Sequence, residues 1–244
     1  MPAYYWIQLY KDPGELTTRE IVNKTVEGLV EAGCVYQFAR ITNIEDDSLP
    51  QMDQVPITKD TDFGINEAID YACKDIESWQ TTEKDKKWLP GIKLVFEFNF
   101  QFDEEVKAKF DEQKAKKVRQ VTLDFWIRKD ELFNERIMID LDTWEEYVLI
   151  YGQEKTHNHN KHQILKIVES ICNQINPHFG WLDGEMNSFD DSYELIGEGK
   201  WPVGNEFIVV GSQLIDKISE YNLEQTPNCI SKLNDGGLIL KGSP

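Results

Sequence analysis

The chain has few bases, few cysteines and no long apolar run, and each deficit removes a class of function. Its 26 Lys and Arg stand against 44 Asp and Glu, a formal net charge of −18. Nucleic acids and anionic membranes are bound by Lys and Arg that displace counterions, so a field of this sign argues against both as partners. The 4 Cys, at positions 34, 73, 172 and 229, form no C-x-x-C, and neither a zinc ribbon nor a redox pair is expected. Nowhere do about 18 apolar residues follow one another, the length a membrane-crossing helix needs. The first residues, MPAYYWIQLYKDPGE, lack a basic segment followed by an apolar one. A cytoplasmic protein with buried free thiols is therefore expected. The phosphate-cradling patterns G-x-x-x-x-G-K-[ST] and G-x-G-x-x-G are missing, and with them any expected nucleotide cofactor. Gly211-Ser212-Gln213 follows a strand-like run but lacks the second Gly of a G-x-S-x-G elbow, so Ser212 reads as a helix N-cap, not a nucleophile.

What the chain does have is material for a core: 40% of its residues are apolar and 11% aromatic, including 7 Trp. A chain of this length buries about 70–75% of its unfolded surface. No stretch reads as a linker, so residues 1–244 are taken as a single domain. Residues 4–10 (YYWIQLY) predict a strand. Thr17 and Glu20 form a capping box ahead of a helix with Ile21, Val22, Val26, Leu29 and Val30 on one face and Gly33 at its end. A second helix carries Ile65, Ala68, Ile69, Ala72, Cys73, Ile76 and Trp79; a third covers roughly 160–175. The clearest periodicity lies between. Ile92, Leu94, Phe96, Phe98, Phe100 and Phe102 alternate with polar neighbours. Val121, Leu123, Phe125 and Ile127 repeat the pattern, and Ile137, Ile139 and Leu141 repeat it again. Period two with one face in a core and one mostly wet is antiparallel behaviour. Residues 103–119 read as a hairpin extension or a short surface helix held by pairs such as Glu105–Lys109 and Glu112–Lys116. Residues 146–151 add a possible further strand. FIVVG (207–211) is a short buried strand, and a closing hairpin turns at Asn234-Asp235-Gly236-Gly237. The expected fold is α+β: mainly an antiparallel sheet, in part a meander, of about five to seven strands, with three to four helices packed on one face.

Three constellations can carry chemistry. His157, His159 and His162 have spacing able to share a divalent metal, but the segment reads equally as the polar start of a helix, and no metal is assigned there. Glu97, Asn99, Asp124 and Asp140 would lie on the wet face of the meander, where facing carboxylates can bind Mg²⁺ or exchange protons; a solvated face contains such residues anyway, and a helix covering it is the other option, since Val95 and Trp126 point the same way. Trp181, within PHFGWLDGE (177–185), is either a pocket wall or an aromatic plug.

The C-terminal third resembles the immunity proteins of bacterial polymorphic-toxin systems. The resemblance is carried by PHFGWLDGE after a helix, by WPVGNEFIVVGSQLIDKI (201–218), and by the closing CISKLNDGGLILKGSP (229–244). It covers about residues 164–244 and implies a protein that binds and blocks a toxin, with no catalytic residue. The charge is distributed in keeping with that. Residues 182–199 hold Asp183, Glu185, Asp190, Asp191, Glu194 and Glu198 with no base, and residues 45–62 hold six acids, Asp46 and Asp47 among them, against Lys59 alone. These loops, with Trp181 or Trp201 as apolar anchor, are the expected contact surface for a basic protein partner. The alternatives are a metal-dependent hydrolase using the His cluster or the sheet carboxylates, and a structural or assembly component.

Overall fold

The computed structural model describes residues 4–12, 14, 16–44, 56–81, 91–128, 136–144, 148–149, 152–183, 207–215 and 229–241. In chain order the elements are β1 (Tyr4–Lys11), α1 (Thr18–Glu31), β2 (Val35–Ile44), β3 (Pro56–Thr61), α2 (Ile65–Thr81), β4 (Ile92–Glu97), α3 (Glu104–Lys107), α4 (Glu112–Lys117), β5 (Gln120–Arg128), β6 (Arg136–Trp144), α5 (Glu154–Ile175), β7 (Phe179–Asp183), β8 (Phe207–Val210), α6 (Ser212–Ile215), β9 (Cys229–Lys232) and β10 (Leu238–Lys241). The fold is α+β, as the periodicities predict. The strands form one 10-stranded sheet in the order β3-β2-β4-β5-β6-β1-β7-β8-β10-β9. Neighbours are antiparallel throughout. The meander β4-β5-β6 lies in its middle, and the N-terminal strand β1 pairs with β6 on one side and β7 on the other.

One face of the sheet carries the three long helices. Ile7, Leu9, Leu94, Phe96, Leu123, Phe125, Ile139 and Leu141 point to that side and form one continuous core with Ile21, Val22 and Leu29 of α1, Ala72 and Ile76 of α2, and Ile164, Val168 and Ile171 of α5. The capping box starts α1 as its sequence dictates: Glu20 N–H donates to the Thr17 hydroxyl, and Thr17 N–H donates to the Glu20 carboxylate at 2.8 Å. Helices α1 and α5 approach closely at Gly28, where a Cβ would lie 2.7 Å from Ile171 Cα. On the opposite face, over β7, β8 and β10, Tyr10, Phe179, Trp181, Ile208, Val210, Leu238 and Leu240 form a second, smaller core with Leu214 of α6. Strand β8 is buried on both sides, since Phe207 and Val209 belong to the first core and Ile208 and Val210 to the second. Among the described residues no helix is long and apolar enough to cross a membrane.

Several expectations change in extent. Residues 56–61, expected as loop, form edge strand β3 on β2. Pro56 opens it, a place where a missing N–H is tolerated, and its residues are exposed or nearly so, so no apolar alternation reveals it. The ladder of β4 stops at Glu97. Beyond it Phe98, Phe100 and Phe102 stay buried while Glu97 and Asn99 stay exposed, and Phe98 N–H donates to Arg119 O at 2.8 Å. Residues 103–119 form two short helices. The Lys116–Glu112 pair is present at 3.5 Å, and α3 is spanned by Lys107–Glu104 at 2.7 Å. Helix α5 begins at Glu154, upstream of the expected start. The Ser212 hydroxyl donates to Asp235 at 3.2 Å instead of capping α6. In the closing hairpin Gly236 has φ +93°, which the Asn-Asp-Gly-Gly sequence accommodates. Residues 146–151, apart from 148–149, lie outside the described residues.

Candidate functional site

The register of the sheet brings its ionisable residues into one row on the face away from the three long helices. Asp60 of β3 stands opposite Arg40 of β2, and Arg40 opposite Lys93 of β4. One step from the Leu94–Leu123 pair, Lys93 Nζ reaches Asp124 of β5 at 2.7 Å. Asp124 stands opposite Asp140 of β6, and Asp140 opposite Gln8 of β1. The row then turns apolar, through Trp181 of β7, Ile208 of β8 and Leu240 of β10. The open face is thus half ionic and half apolar, with β1 as the boundary.

The expectation of a wet face does not hold in the middle of the sheet. Val95 is fully buried, Asp124 is 2% exposed and Asp140 5%. Trp126 Nε1 donates to Asp124 at 2.8 Å; Lys93 Nζ lies 3.7 Å from Asp142; Gln8 Nε2 donates to Asp140 at 3.5 Å. Burial would lower the Lys93 pKa, but Asp124, Asp142 and Asp140 together hold the ammonium well above its ordinary value. Burial raises Asp124, an effect Lys93 partly offsets. Burial also raises Asp140 strongly, and Asp124 and Asp142 add repulsion. Glu97, in contrast, is exposed, with Arg119 Nη1 at 3.8 Å.

Beside this row is a cavity of about 380 Å³ whose wall includes Trp6, Arg40, Lys93, Lys117, Thr122 and Asp142. Arg40 is fixed by Asp60, its Nε donating at 2.6 Å and Nη2 at 3.3 Å. Thr122 Oγ1 is buried with no hydrogen-bond partner. Neither is legible from the sequence, because the cavity depends on β2 lying beside β4 and the engagement of Arg40 on β3 pairing with β2.

The histidines do not converge. They lie inside α5, where 3.6 residues per turn set His157 and His159 roughly 160° apart and His157 and His162 roughly 140° apart. Among the described residues no group of three or more His, Cys, Asp or Glu side chains is placed to hold a metal. The residue the sequence did not single out is Asn160, in the same cluster. It is fully buried, accepts from Gln101 N–H at 2.9 Å, and donates to Gln101 O and Val148 O at 2.8 Å each. The cysteines are free thiols, three buried and Cys229 half-buried, and burial pushes the Cys34 thiol up to about 12.

Of the expected contact residues, Trp181 is 2% exposed inside the second core, the plug of the two readings, so it offers no surface to a partner. Asp183 ends β7. Asp46, Asp47, Glu185, Asp190, Asp191, Glu194 and Trp201 lie outside the described residues.

No protein-family model matches the chain, and no curated protein matches it. Among solved structures it is similar to one titled Pseudomonas aeruginosa T6SS protein PA0821, at 9% identity and a TM-score of 0.45, over 98% of this chain and 66% of that one. The chain therefore spans just under two thirds of that protein's length, and a likeness of this degree carries no functional argument.

Proposed function

We propose that the chain is a non-catalytic acidic binding protein of the immunity type, which neutralises a basic protein toxin by covering it. The observation that supports this most is the concentration of acid along the sequence. Residues 182–199 hold six carboxylates and no base within a chain of net charge −18. Such a segment raises the local potential and speeds encounter with a cation-rich surface. The resemblance of the C-terminal third points the same way. The side chains the fold gathers are turned on one another, with Lys93 held by Asp124 and Asp142, and occlusion requires no reacting group. Trp201, beside the acidic segment in sequence, supplies the apolar anchor that rim charges cannot.

Capture of partners from the native host, at low and high salt, tests this. A basic protein recovered at low salt, whose association slows as salt rises and slows again when Asp190 and Asp191 are changed to Asn, is the expected result. An association rate indifferent to both changes refutes the acidic-segment mechanism, and recovery of no basic partner at low salt refutes the function.

A further inference from the structure

The cavity on the ionic half of the open face is a second feature, independent of the acidic segments. Its wall runs against the composition of the chain. In a chain with 44 acids and 26 bases, it brings together Arg40, Lys93 and Lys117 with Asp142 as the carboxylate among them. Arg40 and Lys93 stand directly opposite each other on adjacent strands. Like charges in that position destabilise a sheet by themselves. Asp60 and Asp124 offset the repulsion from the outer sides, at 2.6 Å and 2.7 Å. Asp60 engages Nε and Nη2 of Arg40, and Nη1 makes no hydrogen bond among the described residues. Lys117 comes from another element, the last turn of α4, and forms no ion pair among the described residues.

Two further features bear on what fits. Thr122 lines the same wall with its hydroxyl oxygen buried, so it offers a ligand contact without a hydrogen bond. Trp6 adds a ring face, with Asp142 directly opposite it on β6. A volume of about 380 Å³ falls in the range of small-molecule sites. The long-range field of the protein opposes an anion, but at physiological salt it is screened beyond about 8 Å, and the groups in the wall decide.

We propose that this cavity binds a small hydroxyl-bearing molecule with a single anionic group, a phosphate or a carboxylate. The anion lies between Lys117 and Arg40, a ligand hydroxyl donates to Asp142, and the ring or carbon face of the ligand lies on Trp6. Asp142 repels a second negative group, which restricts the ligand to one.

Titration of the full-length protein with glucose 6-phosphate, with glucuronate and with neutral glucose tests the site, read by calorimetry and by the Trp6 indole and Thr122 methyl NMR signals. One or both anions should bind and shift these two signals, while glucose does not; which anion binds identifies the acid. Lys117→Met, an exposed change that leaves the fold intact, should weaken binding about tenfold or more. The proposal is overturned if neither anion binds at millimolar concentration, or if Lys117→Met binds as tightly as the original chain.

Discussion

Asp140 is a carboxyl kept from water in the middle of the sheet. It is 5% exposed, faces Asp124 across the strand pair, and has Gln8 as its hydrogen-bond donor at 3.5 Å. Its carboxyl is raised because burial and the neighbouring carboxylates disfavour the anion. The sign of its effect on stability follows. Between its ordinary value of about 3.9 and its raised folded value, the folded protein binds more proton than the unfolded chain, so this group's contribution to stability falls as pH rises through that window. Asp140→Asn removes the contribution and keeps a side chain that Gln8 can still reach. The Tm of the variant minus that of the original chain should therefore become more positive from pH 4 upward; a difference that is flat or declines with pH would show that the Asp140 anion is not penalised. Lys93 has the opposite role. Lys93→Met leaves Asp124 and Asp142 without their counterion and should destabilise by about 3–5 kcal/mol in urea unfolding at pH 7. A loss under about 1 kcal/mol would mean that water reaches both carboxylates.

At the scale of elements, period-two and period-3.6 patterns were enough for α1, α2 and the meander, because those segments each bury one face and leave the other to polar residues. The start of α5 was not legible for a related reason. His157, Asn158, His159 and Asn160 carry no apolar stripe, and the helix is held there by polar contacts. Asp103 accepts from Gln153 N–H and from the Thr156 hydroxyl, and Asn160 ties α5 to the backbone of Gln101 and Val148. Those partners are 59 residues away for Gln101, beyond any local pattern. The same contacts explain why the segment after Glu97 keeps its alternation without a ladder: Asn160 takes the place of a strand partner for Gln101. Asn160→Ala should thus act on two elements at once. Each buried backbone group left unpaired costs about 1–3 kcal/mol, and the Gln101 amide should exchange its hydrogen at least about tenfold faster than in the original chain. If global stability falls while Gln101 exchange relative to that of β4 is unchanged, the bond is incidental and the loss is one of packing.

For the whole molecule, strand order was the part out of reach, and the candidate site depends on it. Arg40, Lys93, Asp124 and Asp140 are separated in sequence and meet because β2, β4, β5 and β6 are neighbours. Strands β4, β5 and β6 could be recognised individually, but period-two alternation says nothing about which strand lies beside which. The strands not expected as such were β3, within a segment read as loop, and β7, within the segment read as a pocket wall or a plug. Net charge, in contrast, was available from composition and has a consequence for the folded state as a whole. With −18 distributed over one chain, the compact state pushes against itself. The exposed ion pairs do little to relieve this. Lys107–Glu104 and Lys116–Glu112 are exposed helix pairs, and such pairs contribute about 0–1 kcal/mol each, reduced further by salt. The buried Lys93–Asp124 contact is shielded from salt by its position. Screening should consequently remove more repulsion than attraction, and the protein should become more stable between 10 mM and 300 mM NaCl at pH 7.5. For a chain of this size each 1 kcal/mol of gain appears as a rise of about 2–4 °C in Tm. Sodium sulfate strengthens burial by exclusion and would confuse the reading, so NaCl is the appropriate salt. The same experiment on a variant with Asp190 and Asp191 changed to Asn should give a smaller rise, because less repulsion is left to screen. A Tm that falls with NaCl would mean that attractive surface pairs outweigh the excess charge, and with it the idea that the carboxylates are kept, at a cost to stability, for a partner to neutralise would lose its thermodynamic basis.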